Sequence, residues 1–324
     1  MWSETISRRG FLAGAAGLTS VVALGASPPP ASAAGLIAFG AYTDGMDAHP
    51  QRLNNLSIVL REPLSIASVF RGPGDVWPGP VEAALAANRT LLVAWYLDHH
   101  SYGYWASAAA RPELVAVARR VKAYGRPVAI RPWAEMNADW QPRQPTATPV
   151  NGYVTGYLAF KAAWRNLVTV FRAEGVRNAR WVFNPTTDAQ TSTTDLRLIW
   201  PGRTYVDVLG MDGYNWGTGG VFTWRSFANI FQPQYKQLVA LAPTLPLWIC
   251  EVGCADPISA LNMVTAPTGQ SKAQWWDEAS QAVRQMPALR AVVLFDVCKE
   301  RDWRASSSTA ALTGLTAALT AMTG

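Results

Sequence analysis

Residues 127–140 read PVAIRPWAEMNADW, and residues 153–183 read YVTGYLAFKAAWRNLVTVFRAEGVRNARWVF. The first stretch opens on a short apolar run, Pro127–Arg131, and then breaks into polar and aromatic residues. In the second, Tyr157, Phe160, Trp164, Leu167 and Phe171 recur at three- and four-residue steps. That spacing lines one face of an α-helix, and Gly175 stops it. Ala179–Phe183 is again apolar and β-rich. Strand, helix and strand in that order make a right-handed βαβ unit with parallel strands.

The same alternation runs through the chain. The other strand candidates are Leu36–Tyr42, Ser65–Phe70, Thr90–Tyr96, Val206–Met211, Pro246–Cys250 and Leu289–Phe295. Helical patterning covers Pro112–Ala123, Phe227–Leu241, Ser271–Gln285 and a small-residue segment near Ala310–Met322, besides Tyr153–Glu174. Eight such repeats in about 290 residues fit one closed (β/α)8 (TIM) barrel over residues 34–324 better than an open doubly wound sheet. No Gly-rich phosphate fingerprint follows an early strand, which argues against dinucleotide binding. Gln141–Asn151 carries three prolines and reads as a long loop after the fourth strand. Loops on that side of a barrel carry its chemistry.

The first tenth of the chain reads differently. Residues 1–33 join a polar start with Ser7-Arg8-Arg9-Gly10-Phe11-Leu12, an apolar stretch to about Ala26, and Ala31-Ser32-Ala33. Charge, apolar core and small-residue cleavage site in that order describe a secretory signal peptide, of twin-arginine type by its paired arginines. An uncleaved anchor is the alternative, although the apolar core is short for a span and Pro28-Pro29-Pro30 ends it. The expected location is outside the cytoplasm, without stable membrane insertion. Removing the segment lowers the formal net charge of +6 by one unit. Basic residues form no run, so a nucleic-acid partner is not expected. No heptad pattern speaks for an oligomer, and a monomer is the default.

Cys250, Cys254 and Cys298 are too few for a disulfide scaffold, and their spacing matches no zinc pattern. Cys254 and Cys298 lie just past neighbouring strands; a disulfide between them and three free thiols both stay open. Neighbouring residues on a strand point to opposite faces, which would make His99-His100 a poor metal site. No metal and no organic cofactor is expected.

Polar and aromatic residues gather where the strands end: Tyr42-Thr43-Asp44, Arg71, Tyr96 to His100, Glu135-Met136-Asn137, Asn184, Asp212 to Trp216, Glu251 and Asp296. In a barrel these ends share one face. Glu135 follows Pro127–Arg131, and Glu251 directly follows Leu247–Cys250. Two facing carboxylates suit glycosidic cleavage, one as proton donor and one as ionised attacker. A structural ion-pair role for either is the plainer alternative. The chain has 15 tryptophans. Trp95, Trp133, Trp140 and Trp216 fall on the expected mouth, where flat rings suit the C–H faces of sugars. Core packing is the other use, and it holds for Trp164 and Trp181.

Four segments, RPWAEMNADW (131–140), WVFNP (181–185), YVDVLGMDGYN (205–215) and WICEVG (248–253), together resemble glycoside hydrolase family 26, best known for β-mannanases. The resemblance covers most of the chain after residue 33, and LFDVCKERDW (294–303) is similar in outline. It implies a barrel that hydrolyses β-linked polysaccharides with retention, Glu135 being acid/base and Glu251 nucleophile. It further implies that Tyr214 hydrogen-bonds the nucleophile and holds it ionised. Arg131, Asn137 and Trp140 align with the fourth-strand signature. The family usually has His before the acid/base and Gly after the Asn; here stand Ala134 and Ala138. A methyl group neither donates nor accepts a hydrogen bond, so the sugar is left to the other contacts.

The expected function is therefore a secreted retaining endo-β-glycanase acting on a mannan-type polysaccharide or a related β-glucan or β-xylan. Expected substrate-binding residues are Arg131, Asn137, Trp140, Tyr214, Trp216 and Trp95. The chief rival is a carbohydrate-binding barrel that has lost catalysis, which Ala134 alone supports. Others are a β-1,3- or mixed-linkage glucanase or β-1,3-xylanase of the same clan, a transglycosylase, and a surface adhesin.

Overall fold

The computed structural model describes residues 37–138, 156–188 and 195–323. Its eight strands follow chain order: β1 (Ala38–Thr43), β2 (Leu64–Arg71), β3 (Thr90–Trp95), β4 (Val128–Pro132), β5 (Ala179–Phe183), β6 (Val208–Asn215), β7 (Leu247–Cys254) and β8 (Leu289–Asp296). Each pairs with the next and β8 pairs with β1, all in parallel, so the sheet closes into a barrel. Between strands run α1 (Gln51–Leu60), α2 (Pro80–Leu85), α3 (Tyr102–Trp105), α4 (Arg111–Tyr124), α5 (Tyr157–Ala173), α6 (Leu196–Ile199), α7 (Phe227–Leu241) and α8 (Lys272–Ala282), with α9 (Thr309–Thr323) last. All eight expected strands are present. The principal difference is at β6 and β7, which continue into the polar segments Asp212–Asn215 and Glu251–Cys254.

Local chemistry sets the helix limits. Ser226 and Ser271 cap α7 and α8 by accepting from the N–H of Asn229 and Gln274, each at 3.2 Å. Gly125 and Gly175 take positive φ (69° and 73°) just after α4 and α5, where a side chain would be strained. The apolar stripe of α5 is buried as its spacing requires: Phe160, Trp164, Leu167 and Phe171 are all within the core.

Each strand shows one set of side chains to the helices and the other to the barrel axis. Leu91, Val93, Ile130, Phe183, Leu209 and Met211 join the helix-facing core. Leu92, Ala129, Val182, Val208, Cys250 and Val293 meet inside the barrel and plug it. Each large aliphatic or aromatic side chain so buried contributes about 2 kcal/mol. One step further toward the strand C-termini the inward positions become polar, with Arg131, Asn184 and Asp212 fully buried.

This alternation corrects one expected site residue. Leu92 and Ala94 share parity with Tyr96, whereas Leu91, Val93 and Trp95 face the helices. Trp95 accordingly packs against Trp77 and Phe171, with ring centroids at 5.3 and 6.2 Å. It is a core residue, and Tyr96 takes the place at the mouth. Trp133 also turns outward, onto Tyr102 and Phe160. The histidine pair is a second correction. His99 and His100 lie in a turn after β3, not on a strand, and their rings are 4.6 Å apart.

Candidate active site

The carboxylate of Glu251 reaches the axis through an irregularity in β7. Against β6, Met211 pairs with Ile249 but Asp212 pairs with Glu251, so β7 carries one extra residue there. The same shift appears against β8, between Ile249 and Val252. A bulge of this kind resets which side chains point inward. Cys250 lies in the barrel plug and Glu251 lines the cavity above it, while Val252 and Cys254 return to the helix-facing core. Strict alternation would have turned Glu251 away.

Both oxygens of Glu251 are held. Oε1 accepts from Nη2 of Arg131 at 2.8 Å, and Oε2 accepts from the Tyr214 phenol at 2.6 Å. Arg131 also donates through Nη1 to both oxygens of Asp212, at 3.1 and 3.3 Å, and to Oδ1 of Asn184 at 3.3 Å. Burial works against the Arg131 charge, yet Asp212 and Glu251 outweigh it and raise its pKa further. Burial, then the Glu251 charge, push the Asp212 carboxyl well above the ordinary carboxylate range, with Arg131 opposing them. Burial and the nearby carboxylates likewise push Tyr214 up, so its phenol stays a donor.

Glu135 comes from the turn after β4. Trp133 and Glu135 have φ of 50° and 60°, a left-handed conformation that non-glycine residues seldom adopt. Strain of this sort costs about 1 kcal/mol or more per residue and persists where surroundings enforce it. Here the Trp133 N–H donates to Trp95 O at 3.0 Å and the Glu135 N–H donates to Asn184 O at 2.8 Å. Asn137 completes the brace: its Nδ2 donates to Thr186 O at 2.9 Å, and its Oδ1 accepts from the Thr186 N–H at 2.8 Å. Asn137 thus ties the turn to the segment after β5.

Glu135 and Glu251 open into one cavity of about 890 Å³. Its walls include Tyr42, Phe70, Tyr96, Trp216, Phe295 and Trp303. Flat rings with a few polar groups between them fit a saccharide, whose faces are apolar and whose edge is hydroxylated. Trp216 is set by Asp188, whose Oδ2 accepts from the indole N–H at 3.0 Å, and by Phe222 stacked at 4.7 Å. Trp303 leans on Tyr214 and Trp216, both at 5.0 Å. Lys272 fixes the loop that carries Trp303. Its buried ammonium donates to the carbonyls of Asp302, Trp303 and Arg304 and to Ser307 Oγ, at 2.7 to 3.3 Å.

Of the expected site residues, the structure brings Arg131, Glu135, Tyr214, Trp216 and Glu251 together, with Asn137 behind them. Trp95 is excluded from the cavity wall, and Trp140 lies outside the described residues. Ala134 is buried and is not part of the cavity lining among the described residues. Sequence reasoning gave no role to Phe70 and Trp303. Parity with Ile66 would have found Phe70. Trp303 arrives by the loop after β8, for which the sequence carries no periodic signal. Cys250, Cys254 and Cys298 are all thiols.

The family model described as Glycosyl hydrolase family 26 matches residues 96–262. Endoglucanase H of Acetivibrio thermocellus is 32% identical over 240 residues, covering 73% of this chain and 25% of its own. The chain therefore spans about a quarter of that relative's length. Among solved structures, an endo-beta-1,4-mannanase double mutant of Cellulomonas fimi superposes with a TM-score of 0.58 at 15% identity, covering 88% of this chain and 71% of that one. GH26A from a Muricauda species gives 0.55 at 16% identity, covering 86% and 88%. Identities this low speak for a shared fold alone.

Proposed function

Because the chain belongs to glycosyl hydrolase family 26, we propose that it is an exported, retaining, endo-acting β-glycanase that works by double displacement. Glu135 gives its proton to the leaving glycosidic oxygen while Glu251 attacks the anomeric carbon and forms a glycosyl ester. Glu135, now ionised, takes a proton from water. That water attacks the same carbon, breaks the ester and restores both carboxyl groups. Arg131 and Tyr214 orient the attacking carboxylate from two sides, and the aromatic walls place the sugar between the two glutamates. The observation that carries this reading is the paired grip on Glu251, 2.8 Å from Arg131 and 2.6 Å from Tyr214, in the cavity that Glu135 shares.

For the polymer, a β-glucan stands ahead of mannan. Its support is the name of the 32% identical relative, an endoglucanase. Export through the twin-arginine route rests on residues 1–33, which lie outside the described residues.

A product profile tests the proposal. Wild type, Glu135→Ala and Glu251→Ala are incubated with mixed-linkage glucan, glucomannan, galactomannan, and β-1,3- and β-1,4-xylan. Oligosaccharides of several lengths from wild type, and none from either variant, are expected. Polymer binding without cleavage would instead make the chain a carbohydrate-binding barrel.

A further inference from the structure

The turn after β3 carries a group of side chains that the cleavage chemistry does not use. His99 and His100 leave that turn on the same side, and Glu113 rises from the first turn of α4 to meet them. Nε2 of His99 lies 3.1 Å from Oε1 of Glu113. One ligand atom from each of the three residues falls within 4.8 Å of the others. Donors bound tetrahedrally at about 2.0 to 2.1 Å from an ion are about 3.4 Å apart, so side-chain shifts of about 1 Å would close the set.

The rings are held in place before any ion arrives. His99 meets the Trp105 ring edge to face at 5.3 Å, and His100 lies against Tyr104 at 3.9 Å. Ser101 caps the short α3 that supplies both aromatics, accepting from the Tyr104 N–H at 3.2 Å. Ligands fixed by packing lose little conformational freedom on binding. The histidines are not a scattered background either, because the chain has three and two of them are these.

We propose that His99, His100 and Glu113 bind one divalent transition-metal ion of the zinc class. Two imidazoles and one carboxylate suit borderline ions, whereas magnesium and calcium favour all-oxygen sets. Three protein ligands leave a fourth position to water. The ion would clip the β3–α3 turn to the start of α4. None of the three residues lines the catalytic cavity, so the clip acts on stability and not on bond cleavage.

The competing explanation is a plain His99–Glu113 ion pair, and His100 separates the two. Chelator-treated protein is titrated with zinc chloride by calorimetry, and its melting temperature is followed with and without zinc. Saturable binding of one equivalent and a melting temperature raised by several degrees are expected. His100→Ala and Glu113→Gln should each weaken zinc binding at least tenfold and remove the thermal shift. Both should keep wild-type hydrolysis and a wild-type melting temperature without zinc to within a few degrees. Unsaturable binding, or a thermal shift that survives in His99→Ala/His100→Ala, would overturn the assignment.

Discussion

The Tyr214 phenol and the Glu251 carboxylate are joined by a hydrogen bond of 2.6 Å, made by side chains on neighbouring strands β6 and β7. It is one of two side-chain donors to Glu251 among the described residues, and removing it leaves the Arg131 contact in place. A hydrogen bond to a charged group is worth about 1.5 to 3 kcal/mol, so Tyr214→Phe should lower kcat by about 10- to 100-fold. KM should move less, and the near-ultraviolet circular dichroism should stay that of the folded protein. Steady-state kinetics on a soluble oligosaccharide checks this.

Arg131 serves two carboxylates with one planar guanidinium, Asp212 through Nη1 and Glu251 through Nη2. An ammonium cannot span both. Arg131→Lys should cut kcat/KM by about 100-fold or more and lower the melting temperature. Arg131→Met should be worse, at about 3 to 5 kcal/mol, since it strands buried carboxylates. Adding Asp212→Asn to Arg131→Met should recover part of that stability while activity stays lost. Thermal melts and kinetics of the three variants separate the effects.

Trp95 and Trp216 should respond in opposite ways. Trp95→Ala removes packing against Trp77 and Phe171 and should destabilise by about 3 to 5 kcal/mol, with KM near wild type in the folded fraction. Trp216→Ala opens the cavity wall and should raise KM several-fold with a smaller loss of stability. Denaturant unfolding paired with kinetics decides whether the two tryptophans do belong to different faces.

The cysteines provide a check by pH. Burial pushes the Cys254 thiol up to about 12 and the Cys250 thiol well above its usual value. A raised pKa leaves both protonated at pH 8, and the thiolate is the reactive form. Cys298 is exposed. A thiol reagent at pH 8 should therefore modify one cysteine in the native protein and three after denaturation. A Cys254–Cys298 disulfide would instead give none in the native state and one in the denatured, unreduced state.

How far the sequence could be read depended on whether a signal was periodic. The strand–helix repeat was visible because Tyr157 to Phe171 keep helical spacing and the strands are continuous apolar runs, as strands buried on both faces are. Glu135 and Glu251 stood out because each follows such a run. Placing Trp95 at the mouth ignored strand parity, although Leu92 and Ala94 already selected Tyr96. Glu251 is the reverse case. Parity alone would send it outward, and only the bulge beside Cys250, which no residue pattern announces, turns it in. The grouping of His99 with His100 failed to show because a turn, not a strand, carries them. Helices α3 and α6, four residues each, are too short to display a period.

Attack of Glu251 on the sugar leaves a glycosyl ester on that side chain, and covalent trapping reads the ester itself. A 2-deoxy-2-fluoro glycoside with a good leaving group, matched to the polymer that wild type cleaves, is incubated with the enzyme, followed by peptide mass mapping. One added glycosyl group on Glu251, loss of activity in step with labelling, and a label that Glu251→Ala cannot take are expected. Labelling of another residue, or an α-configured first product from a β-linked substrate, would contradict it.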